Sequence, residues 1–128
     1  MNWLDSISST LLQKDLDGLW CRQQVISDNM ANFETPGYKQ KTVSFESELR
    51  NAMEASKASM KDTMARVGSV QPVTAEDKSH TYRADGNGVD LEQQMIDMFR
   101  TTSNYSYSIQ QMSDYFSRLR TAITGDAK

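Results

Sequence analysis

The residues that could do chemistry are few and scattered. His80 is the only histidine and Cys21 the only cysteine. A histidine ligand needs companions at metal-binding spacing, and a histidine base needs a nucleophile held beside it. His80 has no such ligand neighbours in sequence and sits in a polar stretch that reads as a surface loop. Cys21 forms no intrachain disulfide and reads as a small helical residue.

The acidic cluster "DGNGVDLE" (residues 85–92) invites a calcium test. A calcium loop of the helix–loop–helix type wants oxygen-bearing side chains at its first, third and fifth positions and Gly at the sixth. Asp85 and Asn87 fit the first two, but Val89 and Asp90 then occupy the others. Asn87-Gly88 reads instead as a tight turn admitting positive φ, delivering the chain to a helix capped by Asp90. No carboxylate pair stands in an apolar setting, and no glycine-rich phosphate loop follows a strand. The sequence therefore predicts no enzyme, no metal and no cofactor.

The elements that position these residues carry more information. Leu91, Met95, Met98, Thr102, Tyr105, Ile109, Met112, Phe116, Leu119 and Ile123 follow alternating steps of four and three. This is a heptad seam. Asp90 with Gln93 makes a capping-box start, and Gly125 is placed to end the helix. Such a helix is about 50 Å long, more than a small globule needs. A second seam runs through Leu12, Leu16, Leu19, Gln23, Ile26, Met30 and Phe33, with Leu4 and Ile7 upstream and Trp3 and Trp20 flanking. Gly18 weakens that helix or marks a close approach. Paired with each other, parallel or antiparallel, the helices would still leave apolar surface at Trp20, Phe99, Tyr107 and Tyr115.

Between the seams the chain is polar. The expected division is a helical segment 1–34, a turn and variable middle 35–89, and a helical segment 90–125. Residues 46–67 are able to form a helix with a thin stripe of Leu49, Met53, Met60 and Met64. Residues 68–82 read as loop or extended chain. The predicted class is all-α: two long terminal helices pairing as a coiled coil, with a flexible or extended middle that orders on assembly. The 128 residues are 38% hydrophobic with net charge −3, and mean hydropathy is −0.65. Neither charge nor local Lys/Arg runs favour nucleic acid. No window approaches a membrane span, and residues 1–20 lack a cleavable signal-peptide pattern.

The first helix is broken at "NMANFETPGYKQKTVSF" (residues 29–45). Pro36 lacks an N–H and pushes Thr35 into extended backbone, and Gly37 permits a sharp turn. The following residues place Val43 and Phe45 on one face of an extended segment.

The whole string resembles the N-terminal motif of the flagellar rod and hook family of axial proteins, where a long helix runs into Ala-Asn-x-x-Thr-x-Gly-Tyr-Lys. Here the matching residues are Ala31, Asn32, Thr35, Gly37, Tyr38 and Lys39, preceded by Asn29 and joined by Pro36 and Phe45. "DGNGVDLEQQM", Tyr105 and "FSRLRTAITG" are similar to the family's C-terminal ending, and the short length resembles its proximal-rod type. Asp28 and Gly88 depart from the family's usual residues.

The resemblance implies a structural subunit of the proximal rod, assembling helically to transmit torque and line the export channel. Implied partners are further copies and other rod subunits, the inner-membrane (MS) ring with its rod adaptor subunit, and the flagellar type III export apparatus. It implies a periplasmic basal-body location reached without signal cleavage. The seam residues then hold subunits together, and the Thr35–Tyr38 turn makes inter-subunit contact. Helical assemblies use heterologous contacts, which suit seams too long for one monomer. Another short rod subunit, or a cytoplasmic helical adaptor or chaperone, is the alternative.

Overall fold

A computed structural model of the chain describes residues 6–54 and 59–125. Trp3 and Leu4 lie outside them. The elements, in chain order, are α1 (Ile7–Ala31), β1 (Lys41–Ser44), α2 (Glu46–Glu54), α3 (Met60–Ser69), β2 (Val73–Glu76) and α4 (Leu91–Thr124).

Helix α1 runs 25 residues from a reciprocal cap. Ser6 Oγ accepts the Ser9 amide at 3.2 Å, and Ser9 Oγ accepts the Ser6 amide at 3.1 Å. This satisfies amides that the first helical turn leaves unpaired. Helix α4 runs 34 residues between the boundaries expected from sequence. Asp90 Oδ1 accepts the Gln93 amide at 3.1 Å, and Gly125 closes the helix at φ 67°. The reciprocal half of that box is not used, because the Gln93 side chain donates to Asp97 one turn on.

The two long helices lie antiparallel. Ser6 meets Tyr115 at 2.8 Å, Asp15 meets Ser108 at 2.5 Å and Asn29 meets Gln94 at 2.9 Å. Each step along α1 is matched by a step back along α4.

The middle of the chain departs from expectation. The fold is mostly helical rather than all-α, because β1 and β2 form an antiparallel two-stranded sheet, Lys41 opposite Glu76 and Ser44 opposite Val73. The extended segment after Pro36 is β1. Residues 46–54 and 60–69 are both helical, in line with the reading of 46–67 as able to form a helix. The described parts of this segment pack against α1. Its Val43, Phe45, Leu49 and Val67 join Leu19 and Val25 of α1 in the main apolar cluster. Full burial of each such side chain contributes about 1.5–3 kcal/mol. A few large residues supply the segment's buried surface while most neighbours stay in water.

Gly18 marks a close approach. A Cβ there would lie 2.5 Å from the Phe45 ring, which is itself buried and sits 4.9 Å beneath the Arg22 guanidinium. Ala in place of Gly normally favours a helix by about 1 kcal/mol, but overpacking a ring that cannot retreat costs more. Gly18→Ala is expected to lower stability by about 1–3 kcal/mol in urea unfolding. Gly18→Ala with Phe45→Leu should recover part of the loss. A neutral or stabilised single variant would show that the ring is free to move.

Candidate functional site

The broken stretch and the acidic stretch, far apart in sequence, interlock in space. The chain leaves α1 through Asn32, whose Nδ2 donates back to the Asp28 carbonyl at 2.8 Å. Thr35 donates its amide to the Asn32 carbonyl at 3.0 Å and its hydroxyl to Asn32 Oδ1 at 3.1 Å. Gly37 turns at φ 71° and gives its amide to the Asp85 carbonyl at 3.1 Å. Asn87 plugs the turn from the other side. Its Nδ2 donates to the carbonyls of Asn32 at 3.0 Å and Thr35 at 2.7 Å, while its Oδ1 accepts the Val89 amide at 2.8 Å.

The positive φ in this second stretch belongs to Gly86, at 84°, rather than to Asn87 or Gly88. Gly88 is required for space: a Cβ there would come 2.7 Å from the His80 carbonyl oxygen. Lys39 pins the loop beside it, donating to Thr81 Oγ1 at 2.6 Å, the Gly86 carbonyl at 3.1 Å and the His80 carbonyl at 3.4 Å.

Asn29, one helical turn before this knot, ties α1 to both β1 and α4. It is 0% exposed. Its Nδ2 donates to the Lys41 carbonyl at 2.8 Å and to Gln94 Oε1 at 2.9 Å. Its Oδ1 accepts the Lys41 amide at 2.8 Å and the Tyr38 hydroxyl at 3.2 Å. Burial, with the carboxylates of Asp28 and Glu76, pushes the Tyr38 phenol up from its ordinary value, so it remains a donor. Lower on α1, Arg22 clamps α2 by a two-pronged pair with Glu46, at 2.6 and 2.7 Å, and caps the Val43 carbonyl at 3.0 Å. Burial raises the Glu46 pKa, but the Arg22 hydrogen bond and charge and nearby backbone amides outweigh it and hold the carboxyl below its ordinary value.

A row of apolar side chains is left on the outside of α4. Of its predicted seam, Met98, Tyr105, Met112 and Leu119 are half-buried, as is Leu91. Met95, Ile109, Phe116 and Ile123 are exposed, with Phe99 at 78%. The places that alternate with Met98 and Tyr105 on the inner face go instead to Gln94, Thr101 and Ser108, which are buried. Each sits one residue, or about 100° of helix, from the seam residue expected there, Met95, Thr102 or Ile109. The reason lies in α1. Its apolar surface is largely taken by Val43, Phe45, Leu49 and Val67, so α4 meets a partly polar flank where Asn29 and Asp15 need hydrogen-bonding partners. On α1, Leu19 and Ile26 are buried and Leu12, Leu16 and Met30 half-buried. Trp20 and Tyr107 are exposed as anticipated, whereas Tyr115 is partly covered.

Of the broken stretch, Asn29 and Phe45 are buried, Asn32, Tyr38 and Lys39 are half-buried, and Ala31, Thr35, Pro36 and Gly37 are exposed. Sequence reasoning missed Asn87 and Gln94 as structural partners. The polar heptad row at 94, 101 and 108 was the available signal for the second.

Among the described residues, Asp77, Ser79 and His80 bring an acid, a hydroxyl and an imidazole together. Ser79 Oγ and Asp77 Oδ2 both lie 2.8 Å from His80 Nδ1. A nucleophile–base relay needs the hydroxyl and the carboxylate on opposite ring nitrogens. Here both share one, so the group is a local turn. Hydrogen bonds from the Ser79 hydroxyl, His80 and the Ser79 amide hold the Asp77 carboxyl well below the usual carboxylate range. Among the described residues no His, Cys, Asp or Glu cluster is arranged to hold a metal ion, and no helix is long and apolar enough to cross a membrane.

No family model matches the chain. It is similar to the flagellar basal body rod protein FlgB of Bacillus subtilis (strain 168), 33% identical over 109 residues covering 81% of this chain and 83% of that protein. The protein of the same name in Borreliella burgdorferi is 30% identical over 120 residues, covering 84% and 89%. That of Escherichia coli (strain K12) is 27% identical over 103 residues, covering 72% and 75%.

Proposed function

The chain belongs to the FlgB family of flagellar basal body rod proteins, and from that premise we propose how it is built into the rod. It is a structural subunit of the proximal rod, held among further copies and other rod subunits by the apolar surface its own fold leaves open. The observation that carries this reading is the outer row of α4. Met95, Ile109, Phe116 and Ile123 are exposed on a helix whose inner side already packs on α1. Isolated apolar residues on a surface mean little, but four at one heptad position, interrupted by Thr102, support an interaction site.

The row has heptad spacing, so a helix of a neighbouring subunit can lie along it in coiled-coil fashion. A groove of about 670 Å³ between α1, α2 and α4, lined by Leu12, Leu49, Met53 and Tyr107 among others, offers a second apolar surface. Row and groove are different surfaces, which suits the face-to-different-face contacts of a helical assembly. The exposed tip at Thr35, Pro36 and Gly37 is the remaining contact expected from the family motif. Its backbone is fixed by the knot, so it would meet a neighbour without first having to order.

Further partners in this reading are the inner-membrane ring with its rod adaptor subunit, and the type III export apparatus that delivers the chain to the periplasm without signal cleavage. The assembled subunits line the export channel and transmit torque. Purification of intact basal bodies tests the core of it. The chain is expected to co-purify with the rod and to persist after washes that strip peripheral proteins. Recovery only as a soluble cytoplasmic protein would overturn the reading and favour an adaptor or chaperone.

A further inference from the structure

Asn87-Gly88 is the one place in the sequence where Asn precedes Gly. That dipeptide has an intrinsic reactivity. In a chain free to flex, the Gly88 backbone nitrogen attacks Asn87 Cγ. A new N–Cγ bond closes a cyclic imide, the Cγ–Nδ2 bond breaks, and Nδ2 leaves as ammonia. Water then opens the ring, giving Asp or isoaspartate. Glycine makes the attack easy because it has no Cβ to restrict its backbone.

In the fold every group in that reaction is held. The Gly88 amide donates to the Tyr38 carbonyl at 2.8 Å. The leaving nitrogen, Nδ2, donates to the carbonyls of Asn32 and Thr35. Oδ1 accepts the Val89 amide. Asn87 is 0% exposed, so water for ring opening is excluded. The His80 carbonyl oxygen lies 2.7 Å from the place a Gly88 Cβ would fill, so the Gly88 backbone is closely packed there.

The geometry points to Asn87 as a spontaneous modification site that the folded knot keeps silent and the unfolded chain exposes. The product no longer fits the knot. A carboxylate at position 87 has no protons to give the Asn32 and Thr35 carbonyls and sets negative oxygens against them. An isoaspartate adds a backbone carbon and displaces Gly88 and Val89. Time spent unfolded is therefore converted, irreversibly, into a chain that folds less stably or not at all.

The test compares the full chain in native buffer with the same chain in concentrated guanidinium chloride at one mildly alkaline pH. Deamidation is followed by mass spectrometry of the peptide containing Asn87, with isoaspartate counted separately. Because reaction in the native sample requires opening of the knot, it should run at least about tenfold slower than in the unfolded sample. Within the unfolded chain, Asn87 should react before Asn29, Asn32, Asn51 and Asn104. Gly88→Ala should suppress the reaction in guanidinium, a readout that does not depend on whether the variant folds. Asn87→Asp, which imitates one product, should melt about 5–15 °C lower or show no folding transition. Equal rates in the two states, or another Asn reacting first in the unfolded chain, would overturn the site. An Asn87→Asp chain with the parent's melting temperature would overturn the consequence drawn for folding.

Discussion

Replacing Phe116 or Ile109 with Asp is expected to abolish motility and incorporation into the basal body while leaving the monomer folded and export largely intact. Phe116 is 56% exposed and Ile109 47% exposed. Neither belongs to the buried cluster around Phe45 and Val67. Changes at such positions usually alter stability by less than about 1 kcal/mol. At a subunit contact the same change buries an unpaired charge in an apolar interface, and that cost is several kcal/mol per contact. It recurs at every copy in the assembly. The measurements are swimming in soft agar, the amount of variant in purified basal bodies, and the circular dichroism melt of the purified monomer. A variant that swims normally would remove the outer row of α4 from the contact. A variant whose melt collapses would show that the residue supports the monomer instead.

The second large effect is on the fold itself. Asn29→Ala is expected to cost about 3–5 kcal/mol, enough to lower the melting temperature by roughly 10–20 °C in a chain of this size. Asn29 satisfies the Lys41 amide, the Lys41 carbonyl, Gln94 Oε1 and the Tyr38 hydroxyl together. Truncation strands partners that the fold keeps from water, Gln94 among them. An unsatisfied buried polar group costs about 1–3 kcal/mol. Asn29→Asp should do nearly as much harm, because it presents oxygen where Lys41 and Gln94 need a donor. Urea unfolding decides it, and a loss below about 1 kcal/mol would mean that water replaces the amide without strain. The destabilised variant also bears on Asn87: held in native buffer, it should deamidate faster than the parent.

These expectations rest on features of unequal visibility in the sequence. The caps at Asp90 and Gly125 and the break at Thr35-Pro36-Gly37 were legible, because each depends on the residue itself and its immediate neighbours. Alternation likewise placed Val43 and Phe45 on one face, and both are buried. Periodicity identified α4 as a long amphipathic helix. It could not say which of two rows one residue apart turns inward, because Met98, Tyr105, Met112 and Leu119 complete a heptad with either. That choice belongs to α1, whose apolar surface the middle segment occupies.

The middle segment and the two buried asparagines were decided only in three dimensions. Phe45 fits because Gly18, in another element, leaves room for its ring. Asn87 looked like a turn residue because its partners, the carbonyls of Asn32 and Thr35, are more than fifty residues away. Backbone carbonyls carry no sequence signature. The sequence by itself determined where the helices start and stop and that they carry more apolar surface than they can hide from each other. The tertiary structure decided which part of that surface stays uncovered, since hydrogen-bonding needs at Asn29 and Asp15 claimed the inner face of α4 and left Met95, Ile109, Phe116 and Ile123 on the outside.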